Sequence, residues 1–387
     1  MLNQLKAIFG KVYGEGNLSY FFSPGRVNLI GEHTDYNGGH VFPSTISLGT
    51  YGVVSSRDDM IIRCYSDNYP ELGIVKVDLN DLSFSEKDEW VNYLKGVILQ
   101  YQKKGFHFNH GFDFAIKGNI PGGGLSSSAS LELLVCVMLE KVFGFTISRL
   151  DMVKMSRAVE NEYIGVNCGI MDQFIIGMGK KDHAILLDTN TLNYKYVPLE
   201  LGEYVILIGN TNKKRTLADS KYNERFSECQ RALAMLKSRL EINSLGDMSI
   251  EMFEKNKSII TEEILIRRAR HAVYENQRTL KSYDALIAGD LIEFGRLMNE
   301  SHESLRMDYE VSCKELDTMV NEMRKQEGVI GSRMTGAGFG GCTVSLVRKD
   351  CVDKVIEAVS EIYEREIGYK GDFHDVEIGN GAVELEA

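Results

Sequence analysis

Ile120-Pro-Gly-Gly-Gly-Leu-Ser-Ser-Ser-Ala-Ser130 is a glycine- and serine-rich stretch that runs directly into an apolar segment, predicted as a helix over 130–143. Its glycines let backbone N–H groups approach an anion closely, and a helix start adds unpaired N–H donors and a partial positive charge. Serine hydroxyls can bind phosphate or ligate Mg²⁺. The stretch therefore predicts a phosphate-binding loop, since the alternative, a flexible linker, seldom leads into a buried helix without spacing residues. It is not a Walker A loop, because the chain has no GxxxxGK[ST] motif.

A second polar stretch, Ser23-Pro-Gly-Arg-Val-Asn-Leu-Ile-Gly-Glu-His-Thr-Asp-Tyr-Asn-Gly-Gly39, places arginine, glutamate, histidine and aspartate where an apolar strand ends. Proteins bind sugars and polyols with such sets, since carboxylates accept hydrogen bonds from neighbouring hydroxyls and histidine can donate or accept. The alternative is a polar turn, for which Asp35, Asn37, Gly38 and Gly39 are good formers. The cluster of ionisable groups beside a strand end favours a binding site.

A third stretch, Arg333-Met-Thr-Gly-Ala-Gly-Phe-Gly-Gly341, is followed by a strand predicted over 342–348. It matches the pattern GxGxxG formally, but the dinucleotide-binding version of that pattern needs a helix after the glycines. A protein-kinase glycine loop is excluded too, because the chain has no HRD or DFG element. We expect a glycine hairpin that packs over the phosphate loop or over a nucleotide, with a tight β-turn as the alternative.

Two acidic residues outside these stretches are candidates for chemistry. Asp172 stands among apolar residues after a glycine. A buried acid is costly unless it is paired, so either Arg26 or a lysine is its partner, or the residue takes part in the reaction. Glu160 lies on a helix predicted over 148–164, whose exposed face would also carry Glu162. A solvated carboxylate is the alternative for each of these glutamates.

The remaining pattern places the chain in the α+β class with two lobes, without repeats or low-complexity tracts. Strands are predicted over 18–22, 27–30, 50–55, 60–65, 74–77, 112–116, 183–188, 194–198, 204–208, 328–334 and 342–348. Helices are predicted over 89–103, 130–143, 148–164, 219–239, 262–287, 290–304, 313–326 and 352–366. A junction near Pro198 divides the chain into an N-terminal domain, 1–198, and a helix-rich C-terminal domain, 199–387, that carries the glycine hairpin.

The composition excludes several classes of protein. The 387 residues are 43% hydrophobic and 26% charged, as in ordinary globular proteins. The net charge of −11 argues against nucleic acid or an anionic membrane as partner, since both favour a basic surface. The 7 cysteines form no CxxC pair, which indicates free thiols in a reducing compartment. Neither a signal-peptide core nor an apolar run of about 20 residues is present, so we expect a cytoplasmic protein without a membrane span.

Together the three stretches resemble the signatures of the GHMP small-molecule kinases, and Gly25 to Gly39 closely resembles the galactokinase signature within that superfamily. The resemblance has matching order and spacing and covers about residues 18–348. It continues through Trp90-Val-Asn-Tyr-Leu-Lys-Gly96, Cys168-Gly-Ile-Met-Asp-Gln173, Lys221-Tyr-Asn-Glu-Arg225 and Arg267-Arg-Ala-Arg-His271.

That resemblance implies the two-lobed GHMP kinase fold, with the active site between the N- and C-terminal domains. It also implies transfer of the γ-phosphate of ATP to the C1 hydroxyl of D-galactose, which gives α-D-galactose 1-phosphate and ADP in galactose metabolism. ATP would be the co-substrate and Mg²⁺ the cofactor. The enzyme would act on D-galactose and Mg-ATP as a monomer.

The same resemblance implies a role for each matching residue. Asp172 would be the base, or the anion that orients the C1 hydroxyl, while Arg26 would pair with it and stabilise the transferring phosphoryl group. Ser128 and Glu160 would hold Mg²⁺, and Ser66 would touch the nucleotide. The sugar contacts would be Glu32, His33, Thr34, Asp35, Asp172 and Tyr222, although Tyr222 could equally be an aromatic residue on a helix face. The loop around the triphosphate would be Gly122, Gly123, Gly124, Leu125, Ser126, Ser127 and Ser128.

Two positions depart from the family pattern: Phe226 stands where a second arginine is common, and Gln230 stands where glutamate is usual. They put local salt bridging in doubt, not the activity. Three other functions stay open: a kinase for another sugar, such as N-acetylgalactosamine or a uronic acid; a non-catalytic sensor of galactose and ATP; and a mevalonate- or homoserine-type kinase. The intact serine loop disfavours the sensor, and the cluster from Glu32 to Asp35 disfavours the last.

Overall fold

The computed structural model describes residues 1–121, 123–213 and 218–386 of the chain. Within these residues, the strands are β1 (Ser19–Asn28), β2 (His40–Val41), β3 (Pro43–Ser56), β4 (Ile61–Ser66), β5 (Val75–Asp78), β6 (Phe112–Gly118), β7 (His183–Asp188), β8 (Tyr194–Pro198), β9 (Tyr204–Asn210), β10 (Val329–Thr335), β11 (Cys342–Arg348), β12 (Asp372–Val376) and β13 (Val383–Leu385). The helices in the same residues are α1 (Leu2–Tyr13), α2 (Val91–Lys103), α3 (Ser127–Phe143), α4 (Arg149–Ala158), α5 (Met171–Met178), α6 (Ala218–Lys237), α7 (Ile250–Asn256), α8 (Glu263–Ile287), α9 (Leu291–Ser304), α10 (Lys314–Arg324) and α11 (Val352–Ile367). Short 3₁₀ turns and π-helical turns, the latter at Val159–Ile164 and Leu305–Tyr309, connect some of them.

The described strands form three sheets, of which the largest has the strand order β13-β1-β3-β6-β4-β5. Its neighbouring strands are antiparallel except β4 and β6, which are parallel. A four-stranded sheet in the later part of the chain has the order β10-β11-β9-β12, and a small sheet has the order β2-β7-β8. Because helices and mostly antiparallel sheets are both extensive, the predicted α+β class is confirmed.

Helix α3 fixes the position of the phosphate loop that precedes it. Its apolar run Leu133–Leu139 is buried throughout, as predicted for a core helix, and the helix packs against β1, β3 and α2. Each large apolar side chain buried in this way contributes about 1.5–3 kcal/mol. Since the helix cannot move without exposing these side chains, the loop at its N-terminal end is anchored.

One long strand, β1, replaces the two strands predicted on either side of Pro24. Its register against β3 shifts between Pro24 and Arg26, so the proline and glycine there form a bulge rather than a break. Gly25 is required because a Cβ at this position would lie 2.8 Å from the carbonyl oxygen of Leu125. The bulge lets the Arg26 side chain reach the phosphate loop, where it bonds the carbonyl oxygen of Gly124.

Several short elements differ from the sequence-based expectation. The patterns do not predict α5, α7, β2, β12 or β13, because short apolar segments do not reveal their periodicity and β13 has only 3 residues. The helix predicted over 148–164 ends at Ala158 and continues as the π-helical turn Val159–Ile164. Its start is capped by Ser148, whose Oγ accepts a hydrogen bond from the Asp151 N–H at 3.1 Å.

The boundary expected between residues 198 and 199 falls between β8 and β9, which belong to different sheets. The later part of the chain also returns β13 to the first sheet, where Leu385 lies opposite Tyr20 of β1. We propose that the domain boundary lies between β8 and β9, and that β13, from the C-terminal domain, adds a strand to the sheet of the N-terminal domain. Among the described residues, none of the helices combines the length and apolar character needed to cross a membrane.

Candidate active site

A cavity of about 250 Å³ lies where the three glycine-bearing stretches meet. Residues from both proposed domains contribute to its wall, so the later part of the chain completes a site that the earlier part begins. The wall consists of Arg26, Glu32, His33, Asp35, Tyr93, Gly123, Gly124, Ser126, Ser127, Ser128, Glu160, Val166, Cys168, Gly169, Met171, Asp172, Tyr222, Gly336 and Ala337.

Arg26 and Asp172 form a two-pronged ion pair, which confirms the predicted partnership. Arg26 Nε lies 2.8 Å from Asp172 Oδ1, and Nη2 lies 2.9 Å from Oδ2. Nη1 donates to the carbonyl oxygen of Gly124 at 2.6 Å, and the Ser126 hydroxyl donates to Asp172 Oδ2. Burial alone would lower the pKa of Arg26, but the adjacent carboxylate raises it above its ordinary value. A fixed positive charge therefore stands between the phosphate loop and an acid whose side chain is still 32% exposed.

The phosphate loop has the conformation that its glycines suggest. Gly123 and Gly124 have φ angles of 75° and 104°, and Ser126, the residue before α3, has a φ of 63°. The loop residues that line the cavity are Gly123, Gly124, Ser126, Ser127 and Ser128. The Leu125 side chain lies instead in the hydrophobic core, and its carbonyl oxygen accepts from a backbone N–H of β1 at 3.1 Å. Gly122, also expected in this loop, lies outside the described residues.

Glu32 is a buried carboxylate that the third glycine stretch holds in place. Its Oε1 accepts from the Gly336 N–H at 2.7 Å and from the Thr335 hydroxyl at 3.1 Å, and Arg333 Nη1 lies 3.5 Å away. Burial raises the pKa of Glu32, and the Arg333 charge counteracts this rise. These contacts fix the orientation of the carboxylate in the cavity wall.

His33 is a buried ring with one engaged and one open nitrogen. Its backbone lies in the left-handed region, with a φ of 61°, which is uncommon for a residue other than glycine. Nδ1 lies 2.8 Å from the Tyr36 hydroxyl, whereas Nε2 has no hydrogen-bond partner of good geometry among the described residues. Burial, and after it the His271 ring, lowers the pKa of His33 to about 3. The ring is therefore neutral at pH 7 and can offer a ligand either one donor or one acceptor.

Asp35 lies at the start of the 3₁₀ turn Asp35–Asn37 and faces the same cavity. Gly169 packs directly against it, because a Cβ at Gly169 would lie 1.8 Å from Asp35 Oδ2. Burial, together with the carboxylates of Asp172 and Glu32, raises the pKa of Asp35 to about 6. A carboxylate in such surroundings gains from a ligand that donates hydrogen bonds to it.

Tyr222 and Thr34, both expected at the sugar, lie in different places. Tyr222, near the start of α6, lines the cavity, and the centre of its ring lies 5.6 Å from that of His33. Burial raises the pKa of Tyr222 well above its ordinary value. The Thr34 hydroxyl is buried and lies 2.8 Å from the Gly31 carbonyl oxygen and 2.6 Å from that of His40. Thr34 therefore braces the loop from within, and its side chain is not part of the cavity wall.

Ser128 and Glu160 both line the cavity and could hold Mg²⁺. One hydroxyl and one carboxylate suit this ion, which takes few protein ligands and completes its shell with phosphate and water oxygens. Within residues 1–121, 123–213 and 218–386, no group of at least 3 His, Cys, Asp or Glu side chains is arranged to hold a metal ion.

The expectation that Glu160 shares an exposed face with Glu162 is wrong. Glu160 is only 6% exposed, whereas Glu162 is exposed to solvent and pairs with Lys103 at 3.2 Å. Residues two positions apart point to different sides of a helix. The π-helical turn at this point carries Glu160 into the cavity and Glu162 out of it.

A second cavity, of about 290 Å³, adjoins the first. Their common wall residues are Tyr93, Gly123, Ser127 and Ser128. Ser66 is buried in the wall of the second cavity, and its Oγ accepts from the Asn68 N–H at 3.3 Å. The rings of Tyr69 and Trp90 lie in the same wall. An aromatic-lined cavity beside a phosphate loop suits a flat base whose phosphates extend into that loop.

Sequence reasoning assigns no role to several wall residues, namely Tyr93, Val166, Cys168, Gly169, Met171, Gly336 and Ala337. Most of them belong to motifs that carry the family resemblance, but they lack a charged group that would mark them chemically. Gly336 has a φ of 84°, and a Cβ there would lie 2.7 Å from the carbonyl oxygen of Gly124. The glycine hairpin therefore packs over the phosphate loop, as predicted.

Comparison with known families gives three matches along the chain. The galactokinase galactose-binding signature matches residues 7–56. The GHMP kinases N terminal domain matches residues 92–180, and the GHMP kinases C terminal domain matches residues 282–365. These matches contain, in this order, the polar stretch from Ser23 to Gly39, the phosphate loop with Asp172, and the glycine hairpin.

Whole-chain comparisons agree. The galactokinase of Lactiplantibacillus plantarum is 55% identical over 384 residues, or 99% of each chain, and that of Clostridium acetobutylicum is 54% identical over 386 residues, or 100% of this chain and 99% of the other. The crystal structure of Lactococcus lactis galactokinase complexed with galactose matches with a TM-score of 0.97 at 50% identity, covering 99% of this chain and 100% of that one. A mevalonate kinase, at 18% identity and a TM-score of 0.64 over 93% of this chain and 99% of its own, shares the fold alone. This chain therefore belongs to the galactokinase family, ATP-dependent sugar kinases with the GHMP fold.

Proposed function

We propose that the protein transfers the γ-phosphoryl group of ATP to the C1 hydroxyl of D-galactose, giving α-D-galactose 1-phosphate and ADP. One observation carries this proposal: a single cavity is lined by the acids of the galactose signature, the phosphate loop and the Arg26–Asp172 pair. Phosphoryl transfer depends mainly on alignment and charge neutralisation, and such a cavity provides both.

The sugar would lie against Glu32, His33, Asp35 and Tyr222. Glu32 is oriented by the glycine hairpin, and Asp35 is held in place by Gly169, so both carboxylates can accept hydrogen bonds from neighbouring hydroxyls without first reorganising. Pre-oriented acceptors of this kind reduce the entropic cost of binding. Thr34 would act indirectly, by bracing the loop that carries them.

Arg26 and Asp172 would act on the reacting groups. Donors from Arg26 and Ser126 fix both oxygens of the Asp172 carboxylate, and this acid would orient the C1 hydroxyl and receive its proton. The Arg26 guanidinium lies beside the phosphate loop and would neutralise negative charge on the phosphoryl group during transfer.

ATP would occupy both cavities, with its base in the second one near Ser66 and its phosphates on the loop from Gly123 to Ser128. Ser128 and Glu160 would hold Mg²⁺, which when bound neutralises phosphate charge and aligns the phosphate oxygens. Gly122, which we also expect to contact the phosphates, belongs to the same loop in the sequence.

We propose further that the enzyme acts in the cytoplasm as a monomer. All 7 cysteines are free thiols, which suits a reducing compartment. The net charge of −11 disfavours nucleic acid and anionic membranes as partners. Light scattering on the purified protein, with and without both substrates, tests the monomer.

The deciding experiment measures ADP release from Mg-ATP by the wild-type protein and by Asp172→Asn, with D-galactose, D-glucose, N-acetylgalactosamine and galacturonic acid as acceptors. We expect ADP release that depends on galactose, is lost in the variant and is absent with glucose. Release with another sugar alone would change the substrate but keep the enzyme class. Galactose binding without ADP release from any acceptor would favour the sensor instead.

A further inference from the structure

A continuous chain of hydrogen bonds runs from His33 into the interior of the protein, away from the cavity. His33 Nδ1 lies 2.8 Å from the Tyr36 hydroxyl, which lies 2.7 Å from the Tyr309 hydroxyl. The Tyr309 hydroxyl in turn lies 3.1 Å from Cys229 Sγ. The loop after β1, the π-helical turn Leu305–Tyr309 and helix α6 each contribute to this chain, and the proposed reaction assigns its inner members no role.

The inner end of the chain is closed to solvent, whereas Tyr36 is only partly buried. Tyr309 and Cys229 are fully buried, and His33 is 4% exposed. Aromatic rings pack around it: the Phe226 ring centre lies 5.6 Å from that of Tyr36, and the His271 ring centre lies 4.4 Å from that of Tyr309. Phe226 is one of the two residues that depart from the family pattern, so an apolar ring packs against Tyr36 where a second arginine is common. Because solvent does not reach the inner end, the Tyr309 hydroxyl proton has a defined direction, and hydrogen bonds on both sides hold the Tyr36 hydroxyl.

Two directions are possible, and the chemistry of the end groups favours one. A neutral imidazole nitrogen is the strongest acceptor in the chain, and a phenol is a good donor, whereas a thiol is weak in both roles. If Tyr36 donates to His33 Nδ1, it must accept from Tyr309, which in turn accepts from the Cys229 thiol. In the opposite direction, His33 Nδ1 would donate to Tyr36 and the Tyr309 hydroxyl would donate to sulfur. The strong acceptor of the imidazole would then be Nε2, to which no described group donates a hydrogen bond.

The geometry of the ring supports the first direction. Nδ1 faces the Tyr36 hydroxyl, and Nε2 has no hydrogen-bond partner of good geometry among the described residues, so a proton on Nε2 is available to a ligand in the cavity that His33 lines. Burial keeps the ring neutral, with a pKa of about 3, so only one of its two nitrogens carries a proton at pH 7.

We infer that Tyr36 and Tyr309 are positioning residues that hold His33 as the tautomer with its proton on Nε2, so that the ring acts as a hydrogen-bond donor toward a sugar oxygen in the cavity. The two carboxylates of the same wall, Glu32 and Asp35, can only accept when ionised, so His33 supplies the complementary donor. The sugar part of this inference rests on the proposed function, but the tautomer does not.

The test is ¹⁵N NMR of histidine-labelled protein at pH 7 without substrate, since the ¹⁵N shift separates a protonated ring nitrogen from a bare one. The chain has 8 histidines, and a His33→Gln variant assigns the signal. We expect a proton on Nε2 in the wild type and a mixture of tautomers in Tyr36→Phe. Tyr101→Phe is the matched control, because it also removes a buried phenol. The Tyr101 hydroxyl donates to the Cys136 carbonyl oxygen at 3.2 Å and belongs neither to this chain of hydrogen bonds nor to the cavity wall.

Kinetics give the second readout. Tyr36→Phe should raise KM for galactose about three- to tenfold with a smaller change in kcat, as expected for one lost or misdirected hydrogen bond. Tyr309→Phe should raise KM for galactose by a smaller factor, because Tyr36 keeps its hydroxyl. This variant replaces Tyr36→Phe in both experiments if Tyr36→Phe does not fold. Cys229→Ser, which keeps a donor at the end of the chain, should leave the tautomer unchanged.

A proton on Nδ1 in the wild type would overturn the inference, and so would an unchanged tautomer in folded Tyr36→Phe. Both outcomes are read without ATP or sugar. If the protein did not phosphorylate galactose, the proposed function would fail while the NMR result still decided this inference.

Discussion

Replacing Gly169 by alanine would displace Asp35 without altering its charge. The new Cβ would lie 1.8 Å from Asp35 Oδ2 and 2.1 Å from its Cγ, whereas ordinary contact begins near 3.4 Å. The backbone of Gly169 lies outside the left-handed region, so alanine fits it without strain. The obstacle is the end of one side chain, which can rotate away, and we therefore expect Gly169→Ala to fold.

The size of the effect follows from this overlap. A carboxylate that moves by about 1.5 Å leaves the narrow distance range of a hydrogen bond. Losing a hydrogen bond to a charged group costs about 1.5–3 kcal/mol, so the Kd for galactose should rise about 10- to 100-fold. Since the variant leaves the Arg26–Asp172 pair in place, kcat should change much less than KM.

Calorimetric titration with galactose and ADP-release kinetics measure the two quantities. Gly10→Ala is the control, because a Cβ at this position on α1 would meet nothing within 4 Å. An unchanged galactose affinity in Gly169→Ala, with an unchanged melting temperature, would refute the placement of the sugar against Asp35.

Asp35→Asn should abolish galactose binding yet raise the melting temperature at pH 7: burial raises the pKa of Asp35 from 3.8 to about 6, so native stability falls as pH rises through that window. The gain should vanish below about pH 3 in thermal melts, because the acid is then protonated in both states. Asp172→Asn should lower kcat about 100-fold or more and the free energy of unfolding in urea by about 2–3 kcal/mol, since it leaves a buried arginine without its counter-charge. Glu160→Gln should raise the Mg²⁺ concentration for half-maximal rate about tenfold, while the exposed control Glu162→Gln leaves it unchanged. Glu132→Gln should alter the free energy of unfolding by less than about 0.5 kcal/mol, because burial, and after it the Glu160 carboxylate, raises the pKa of Glu132 and so favours the uncharged acid, which glutamine resembles. A large loss of stability in urea would show instead that Glu132 is ionised.

Much of the architecture could be predicted because its signals are local. Periodicity, capping residues and apolar runs give α3 and most of the other helices, and the bounds of β7, β8 and β11 agree with the expected ones. The ion pair between Arg26 and Asp172 also follows from a general rule, that a buried acid needs a partner. The phosphate loop is also predictable, because glycines followed by serines at a helix start are a local pattern that provides N–H and hydroxyl donors for an anion.

The rest depends on contacts that no local pattern encodes. The inward position of Glu160 needs a π-helical turn, and the bulge at Pro24 looks like a strand break until β3 is seen beside it. Gly169 matters only because Asp35 lies against it, more than a hundred residues away in the chain. Thr34 shows the same limit, since only the structure reveals that its hydroxyl bonds the Gly31 carbonyl oxygen; its predicted contact with the sugar stays a prediction.

The pairing of β13 with β1 also has a meaning for biosynthesis. Strand β1 is among the first parts of the sheet to leave the ribosome, yet the residues that cover its edge, from Val383 to Leu385, come more than three hundred positions later. Until they emerge, the nascent chain carries an open strand edge, the kind of surface through which unfinished proteins associate wrongly. Translation must therefore pass Leu385 before the first sheet can close, and a nascent chain that stops shortly before Val383 leaves that edge uncovered.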